Sequence, residues 1–295
     1  MHRDPAPSSE FVVSLLEDLR AGGYRPAAWW RFLARSWAQS RATARAHPQL
    51  VRSWAAASCA QTAGALGAIG LEWRSGRAFA ARRIFPWVVL GLAAQQMDVY
   101  VHLGLNGPTR GAPVRESLGL PTCLTLSRQT IATLLWAHLL GRCSVPRGYA
   151  LAALVGAGVT DVADGALARR LDHATYLGRY LDAEADMNVS TALACTLSES
   201  RHIPAWFTAL LLGRWLLPVV AGMAQYFGQT QPVPFGSSLL GKAAGVAQSV
   251  TLGAALLPTQ TPRVVARLRP ALFGLAVTCL VAAPLGQLRR LRRRQ

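Results

Sequence analysis

The sequence predicts an all-α integral membrane protein, and three observations carry that expectation. Of its 295 residues, 52% are hydrophobic and only 15% charged, with a mean hydropathy of +0.24; a soluble domain carries roughly a quarter charged residues. Apolar stretches near the ~20 residues needed to cross a bilayer recur along the second half. The chain closes on "RRLRRR", Arg289 to Arg294, the kind of basic flank that stays in the cytoplasm.

The net charge of +17 fits a membrane protein facing anionic headgroups. It does not point to nucleic acid, because no basic stretch joins a recognisable nucleic-acid module. Arginine supplies nearly all the positive charge, Lys242 being the one lysine, a bias that suits a GC-rich bacterial genome. Cys59, Cys123, Cys143, Cys195 and Cys279 lack paired or metal-type spacing and read as small buried residues. The opening "MHRDPAPSSE" has no apolar run behind a basic start, so a cleaved signal peptide is not expected.

Residues 1–53 hold eight arginines and no spanning run. Trp30, Leu33 and Trp37 share one side of a helix, with Arg31 and Arg35 elsewhere, the pattern of an extension lying in the interface or of a cytoplasmic helical cap. Residues 54–110 contain two weaker apolar stretches, 55–71 and 84–105, separated by "EWRSGRAFAARR". They allow an extra transmembrane hairpin, although its four loop arginines and Asp98 weigh against it. Residues 111–288 contain six apolar segments near 121–140, 148–168, 179–198, 203–226, 238–257 and 270–287. Six spanning helices are expected there, since backbone in lipid must bond within its own segment. Residues 289–295 form a basic cytoplasmic tail. In this topology Arg169, Arg170 and Arg179 face the cytoplasm, while Arg263, Arg267 and Arg269 fall on the other side, against the rule.

Carboxylates are unevenly spread. Six of the 14 acidic residues lie in the window Asp161–Asp186, between apolar segments, where an unpaired charge is costly. Asp161, Asp164 and Ala168 are three and four apart and share one helical face; Gly178, Asp182 and Asp186, each four apart, line a face of the next helix. The short connection makes these helices antiparallel neighbours, so four aspartates converge. Converging carboxylates repel unless a cation sits among them. All-oxygen ligation suits Mg²⁺ or Mn²⁺, and two such ions are a known means of driving displacement at phosphorus. Gly165 and Gly178 leave room for a ligand, and Arg169 offers a planar fork to phosphate oxygens. Asp172 and Glu184 fall off the facing stripes and read as solvated or paired charges. Arg214, inside "FTALLLGRWLLPVV", is an intramembrane arginine and so a functional candidate.

Asp161-x2-Asp164-Gly165-x2-Ala168-Arg169-x8-Gly178-x3-Asp182-x3-Asp186 resembles the signature of CDP-alcohol phosphatidyltransferases at every fixed position. The resemblance covers about residues 121–290. "LPTCLTLSR" is similar to the family's first-helix pattern through Pro121, Leu124, Thr125 and Arg128, with Thr122 in place of the usual asparagine. "GKAAGVAQ" is similar to a fifth-helix pattern through Gly241, Lys242 and Gln248, with Ala244 and Gly245 where lysine and threonine are common.

The resemblance implies a six-transmembrane-helix CDP-alcohol phosphotransferase bundle with an N-terminal helical extension, working at the cytoplasmic face of a bacterial cell membrane. It further implies that Asp161, Asp164, Asp182 and Asp186 hold two divalent cations, Mg²⁺ or Mn²⁺, and that Asp186 acts as general base. Asp164, Gly165, Ala168, Arg169 and Gly178 would bind the CDP moiety of a CDP-alcohol lipid donor. Arg128, Arg214 and Lys242 would meet the acceptor, with glycerol 3-phosphate or an inositol phosphate leading. A lipid acceptor, or a CDP-linked headgroup passed to diacylglycerol, is the alternative, and a homodimer is suggested by resemblance alone. Of the rivals, an aspartate-rich prenyltransferase should have two acidic motifs well apart, and a cation transporter needs no Gly-x2-Ala-Arg spacing. A catalytically inactive scaffolding relative is opposed by the four intact aspartates.

Overall fold

The computed structural model describes residues 9–109, 112–229, 239–257 and 273–282. The tail 289–295, Arg263, Arg267 and Arg269 lie outside the described residues, as does the Lys242 side chain. Every regular element among the described residues is helical: α1 (Ser9–Ala21), α2 (Pro26–Ala46), α3 (Pro48–Arg74), α4 (Ala78–Val101), a 3₁₀ turn (Leu103–Leu105), α5 (Gly119–Leu140), α6 (Arg147–Arg170), α7 (Tyr176–Glu199), α8 (Ala205–Gln229), α9 (Leu239–Leu256) and α10 (Phe273–Ala282). Local chemistry sets several of these starts. Pro26 and Pro48 occupy the first turns of α2 and α3, where a missing N–H costs nothing. Thr175 caps α7, its Oγ1 accepting the Gly178 N–H at 3.0 Å.

α4, α6 and α8 are each long and apolar enough to cross a membrane. Their outer faces carry exposed apolar side chains, including Phe85, Leu90, Val155, Val159, Leu216 and Val220, as lipid-facing surfaces should. α7 is the inner helix. Its Leu177, Leu181, Ala185, Val189 and Ala192 are buried, and it packs on α5, α6, α8 and α9. α3 and α4 pack as a helical hairpin, of which α4 alone is long and apolar enough to cross a membrane, and α4 lies against α5. Asp98, which weighed against that hairpin, sits in the last turn of α4. There it accepts from the Tyr180 hydroxyl of α7 at 3.0 Å and pairs with His102 at 3.1 Å. The charge is matched across helices rather than left in lipid.

Two further polar links join the hairpin to α5. The Gln61 side chain of α3 donates to the Leu126 carbonyl at 2.7 Å and to Thr130 Oγ1 at 2.9 Å, and receives the Gln96 amide from α4. At the other end of α3, Glu72 accepts from Arg77 and pairs with His138 of α5, each at 3.1 Å. Two described stretches of the connection, 102–109 and 112–118, then grip the α6–α7 turn. Gly107 O accepts the Tyr176 N–H at 2.7 Å, Pro108 O accepts from Arg179, and Arg115 donates to Asp172 O.

One expectation needs correcting. Only Cys143 among the five cysteines is buried, and Cys59 is exposed because it falls off the stripe Ala57, Gln61, Ala65 and Ile69 that α3 buries.

Candidate active site

The site forms where the C-terminal half of α6 meets the N-terminal half of α7, with α5 beneath. Helical spacing turns Asp161 and Asp164 of α6 toward Asp182 and Asp186 of α7, as the sequence predicted. Asp161, Asp182 and Asp186 each place a carboxylate oxygen within 4.8 Å of the others. Their side chains are 51%, 42% and 42% exposed, so the trio opens outward. Asp164 lies deeper, 9% exposed, and accepts from the Thr125 hydroxyl at 2.8 Å.

Arg128 closes the floor. Its side chain is 1% exposed, and its guanidinium reaches all four aspartates: Asp161 at 2.7 Å, Asp164 at 3.0 Å, Asp186 at 3.6 Å, and Asp182 in direct contact. The sequence suggested Arg128 for the acceptor; in the structure its guanidinium pairs with all four carboxylates. Thr125, quoted only as a motif residue, is likewise part of the site. Neither role was legible from spacing, because α5 lies more than 30 residues away in sequence and its register against α6 is set by packing.

The glycines have steric explanations. Gly119 opens α5 at φ +74°, and a Cβ there would collide with the His173 ring of the α6–α7 turn. A Cβ on Gly178 would lie 3.1 Å from Thr175 Oγ1 and 3.5 Å from Thr122 Oγ1, so glycine lets α7 approach α5 closely. Thr122 therefore stands at this contact. Gly165 lies under the exposed Arg169, whose Nη1 would be 3.4 Å from an added Cβ. Ala168 is half-buried, and its carbonyl accepts the His173 N–H at 3.0 Å.

Arg214 of α8 is buried. It donates to Gln248 Oε1 at 2.5 Å and to Gly241 O at 3.0 Å, and lies over the Trp215 ring. Gly245 lies beside its guanidinium, where an added Cβ would sit in ordinary contact, 3.6 Å from Nη2. Ala244 is fully buried. The two departures in the fifth-helix pattern are thus a buried packing residue and a glycine in contact range of an arginine. Asp172 is exposed at φ +47°, while Glu184 is half-buried toward Asp98 and Gln129.

The residues present suit divalent cations. The donors are carboxylate oxygens alone, converging from two helices, with more negative charge than one guanidinium neutralises.

Comparison with known proteins gives a consistent picture. The chain is 34% identical over 131 residues to the cardiolipin synthase (CMP-forming) of Streptomyces coelicolor, covering 43% of this chain and 60% of that protein. It is 33% identical over 122 residues to a probable phosphatidylglycerophosphate synthase of Mycobacterium tuberculosis, covering 41% and 56%. The matched stretch is thus under two thirds of either relative's length. No solved structure matches the chain significantly. The profile of the CDP-alcohol phosphatidyltransferase family matches residues 118–282, more than half the chain and the whole aspartate site, and the protein belongs to that family.

Proposed function

We propose that this protein is a multi-pass membrane phosphatidyltransferase. It would move a phosphatidyl group from a CDP-alcohol such as CDP-diacylglycerol to an acceptor alcohol, releasing CMP. The observation that carries this reading is the convergence of Asp161, Asp182 and Asp186 from two helices within 4.8 Å, open on one side. α5 to α10 would form the six spans, with the site at the cytoplasmic boundary.

Asp161, Asp164, Asp182 and Asp186 would hold two Mg²⁺ or Mn²⁺ ions. When bound, the ions supply positive charge that polarises the donor diphosphate and neutralises the charge developing on CMP. Arg169, exposed at the rim, offers two parallel N–H donors to the diphosphate. Gly165 and Gly178 keep side chains out of the donor's path. Asp186 takes the proton of the acceptor hydroxyl, whose oxygen bonds to the lipid-side phosphorus as the phosphorus–oxygen bond to CMP breaks. Arg128, buried beneath, positions the carboxylates and keeps their mutual repulsion in check.

Two acceptor classes remain in view. The buried intramembrane Arg214, with Gly245 beside its guanidinium, supports a phosphorylated acceptor such as glycerol 3-phosphate or an inositol phosphate. The mycobacterial relative's name also agrees with the first of these. The Streptomyces relative's name favours a lipid acceptor instead. CMP release in nanodiscs, with CDP-diacylglycerol, Mg²⁺ or Mn²⁺ and an acceptor panel, tests both. Metal-dependent release with one acceptor, abolished by Asp186→Asn, is expected. Silence with every acceptor and every CDP-linked donor, from a folded protein, would overturn the reading in favour of a non-catalytic relative.

A further inference from the structure

The N-terminal extension carries a feature that the transfer reaction does not use. α2 bridges the ends of two helices able to span the membrane. Near its start, Trp29 and Phe32 stack on Phe227 of α8, with ring centroids 5.3 and 6.4 Å apart, and the Tyr24 hydroxyl donates to Phe227 O. Farther along, Ser40 donates to Val101 O, the last residue of α4, at 2.9 Å. Trp29 and Ser40 are about 16 Å apart along a helix. α2 therefore lies across these ends, at the level where headgroups meet water. Trp30, Leu33 and Trp37 are exposed along one side, Trp30 by 73%, which is how an interfacial helix presents itself to lipid.

At the far end of α2, the corner with α3 holds an open cleft of about 360 Å³ lined by Arg41, Arg45, Arg52, Pro48, Val51 and Tyr100. None of its three arginines has an ion pair or hydrogen bond among the described residues. Glu116, near the corner, is engaged by His47 at 3.0 Å. Such a cluster is unfavourable by itself. Arg41 and Arg45 are like charges one turn apart. The α2 C-terminus favours a cation at Arg45, but Arg52, in the second turn of α3, gains no such support. Pro48 opens α3 without a side-chain cap, so first-turn N–H groups add to the positive field. Behind the cleft Tyr100 packs between Trp37 and Trp54, at 5.5 and 5.3 Å, an apolar wall continuous with the outside of α4.

We propose that this corner binds the phosphate headgroup of an anionic phospholipid from the surrounding leaflet. Arg41, Arg45 and Arg52 grip the phosphate, and the acyl chains run down beside Tyr100 and α4. The site is separate from the aspartates and does not depend on the transfer chemistry.

Native mass spectrometry of the full chain in detergent tests it, with dioleoyl phosphatidylglycerol, dioleoyl phosphatidylcholine and inorganic phosphate as probes. The wild type should retain phosphatidylglycerol over phosphatidylcholine by at least about tenfold, at roughly fivefold per arginine near the surface. Arg41→Gln/Arg45→Gln/Arg52→Gln should abolish most of that preference. The charge-matched Arg74→Gln/Arg82→Gln/Arg83→Gln, at the opposite end of α3 and α4, should keep it. An unchanged preference in the first variant, or an equal loss in the second, overturns the proposal. Displacement of phosphatidylglycerol by inorganic phosphate at equal concentration overturns the lipid assignment. Should the triple variant fail to fold, Arg41→Gln and Arg52→Gln singly must each lower the preference about fivefold.

Discussion

Two ionic clusters lie on different sides of α5, and they are built on opposite principles. On one side, four aspartates share a single guanidinium, and three of them are 42–51% exposed. On the other, Glu72 alone sits between Arg77 and His138, its side chain 3% and that of His138 6% exposed. The second cluster is balanced and closed, which fastens α3 to α5. The first carries surplus negative charge and faces outward, which fits a site completed by something from outside. Burial and stoichiometry of charge thus separate a fastening from a working site, even though both are ion pairs between helices.

That contrast can be broken by substitution. Asp186→Asn should lower CMP release on the order of 10³-fold while leaving the folded yield unchanged. Equal activity in this variant would remove the distinction at its functional end. Glu72→Gln should do the reverse. Losing the carboxylate between two basic partners is expected to cost on the order of 3 kcal/mol, read as a lower midpoint of thermal unfolding. CMP release per folded molecule should persist. Without added metal, Asp182→Asn should leave the thermal midpoint unchanged or raise it, because it relieves repulsion among carboxylates. A clear fall would mean that the aspartate cluster also serves as a fastening. The smallest effect belongs to Thr175→Ala, which removes the α7 cap and should cost about 1 kcal/mol, with at most a modest loss of activity.

Much of the catalytic half was legible in the sequence. The segments expected near 121–140, 148–168 and 179–198 correspond to α5, α6 and α7, because length and apolarity define them without reference to neighbours. The aspartate stripes were equally readable, since i, i+3 and i+4 spacing fixes a helical face. Arg128 was not. Its position under the aspartates depends on how α5 docks between α6 and α7, which no local pattern encodes. The docking of α3 and α4 on the bundle was obscured for a related reason. Gln61 and Asp98 look like flaws in apolar stretches, and Glu72 falls in the charged connection, yet each is answered by a residue on α5 or α7. Single-helix hydropathy counts the cost of a polar group and cannot see the partner that offsets it. α7 shows the same effect: it carries Asp182, Glu184 and Asp186 and falls outside the helices apolar enough to cross by composition alone.

The most direct test of the aspartate site is Mn²⁺ binding, followed by electron paramagnetic resonance on the purified protein in neutral-lipid nanodiscs. Saturable binding of about two ions per chain, lost in Asp182→Asn with the fold intact, is the predicted result. Absence of saturable binding, or a variant that binds as the wild type does, would contradict the assignment of Asp161, Asp164, Asp182 and Asp186 as the metal-holding centre.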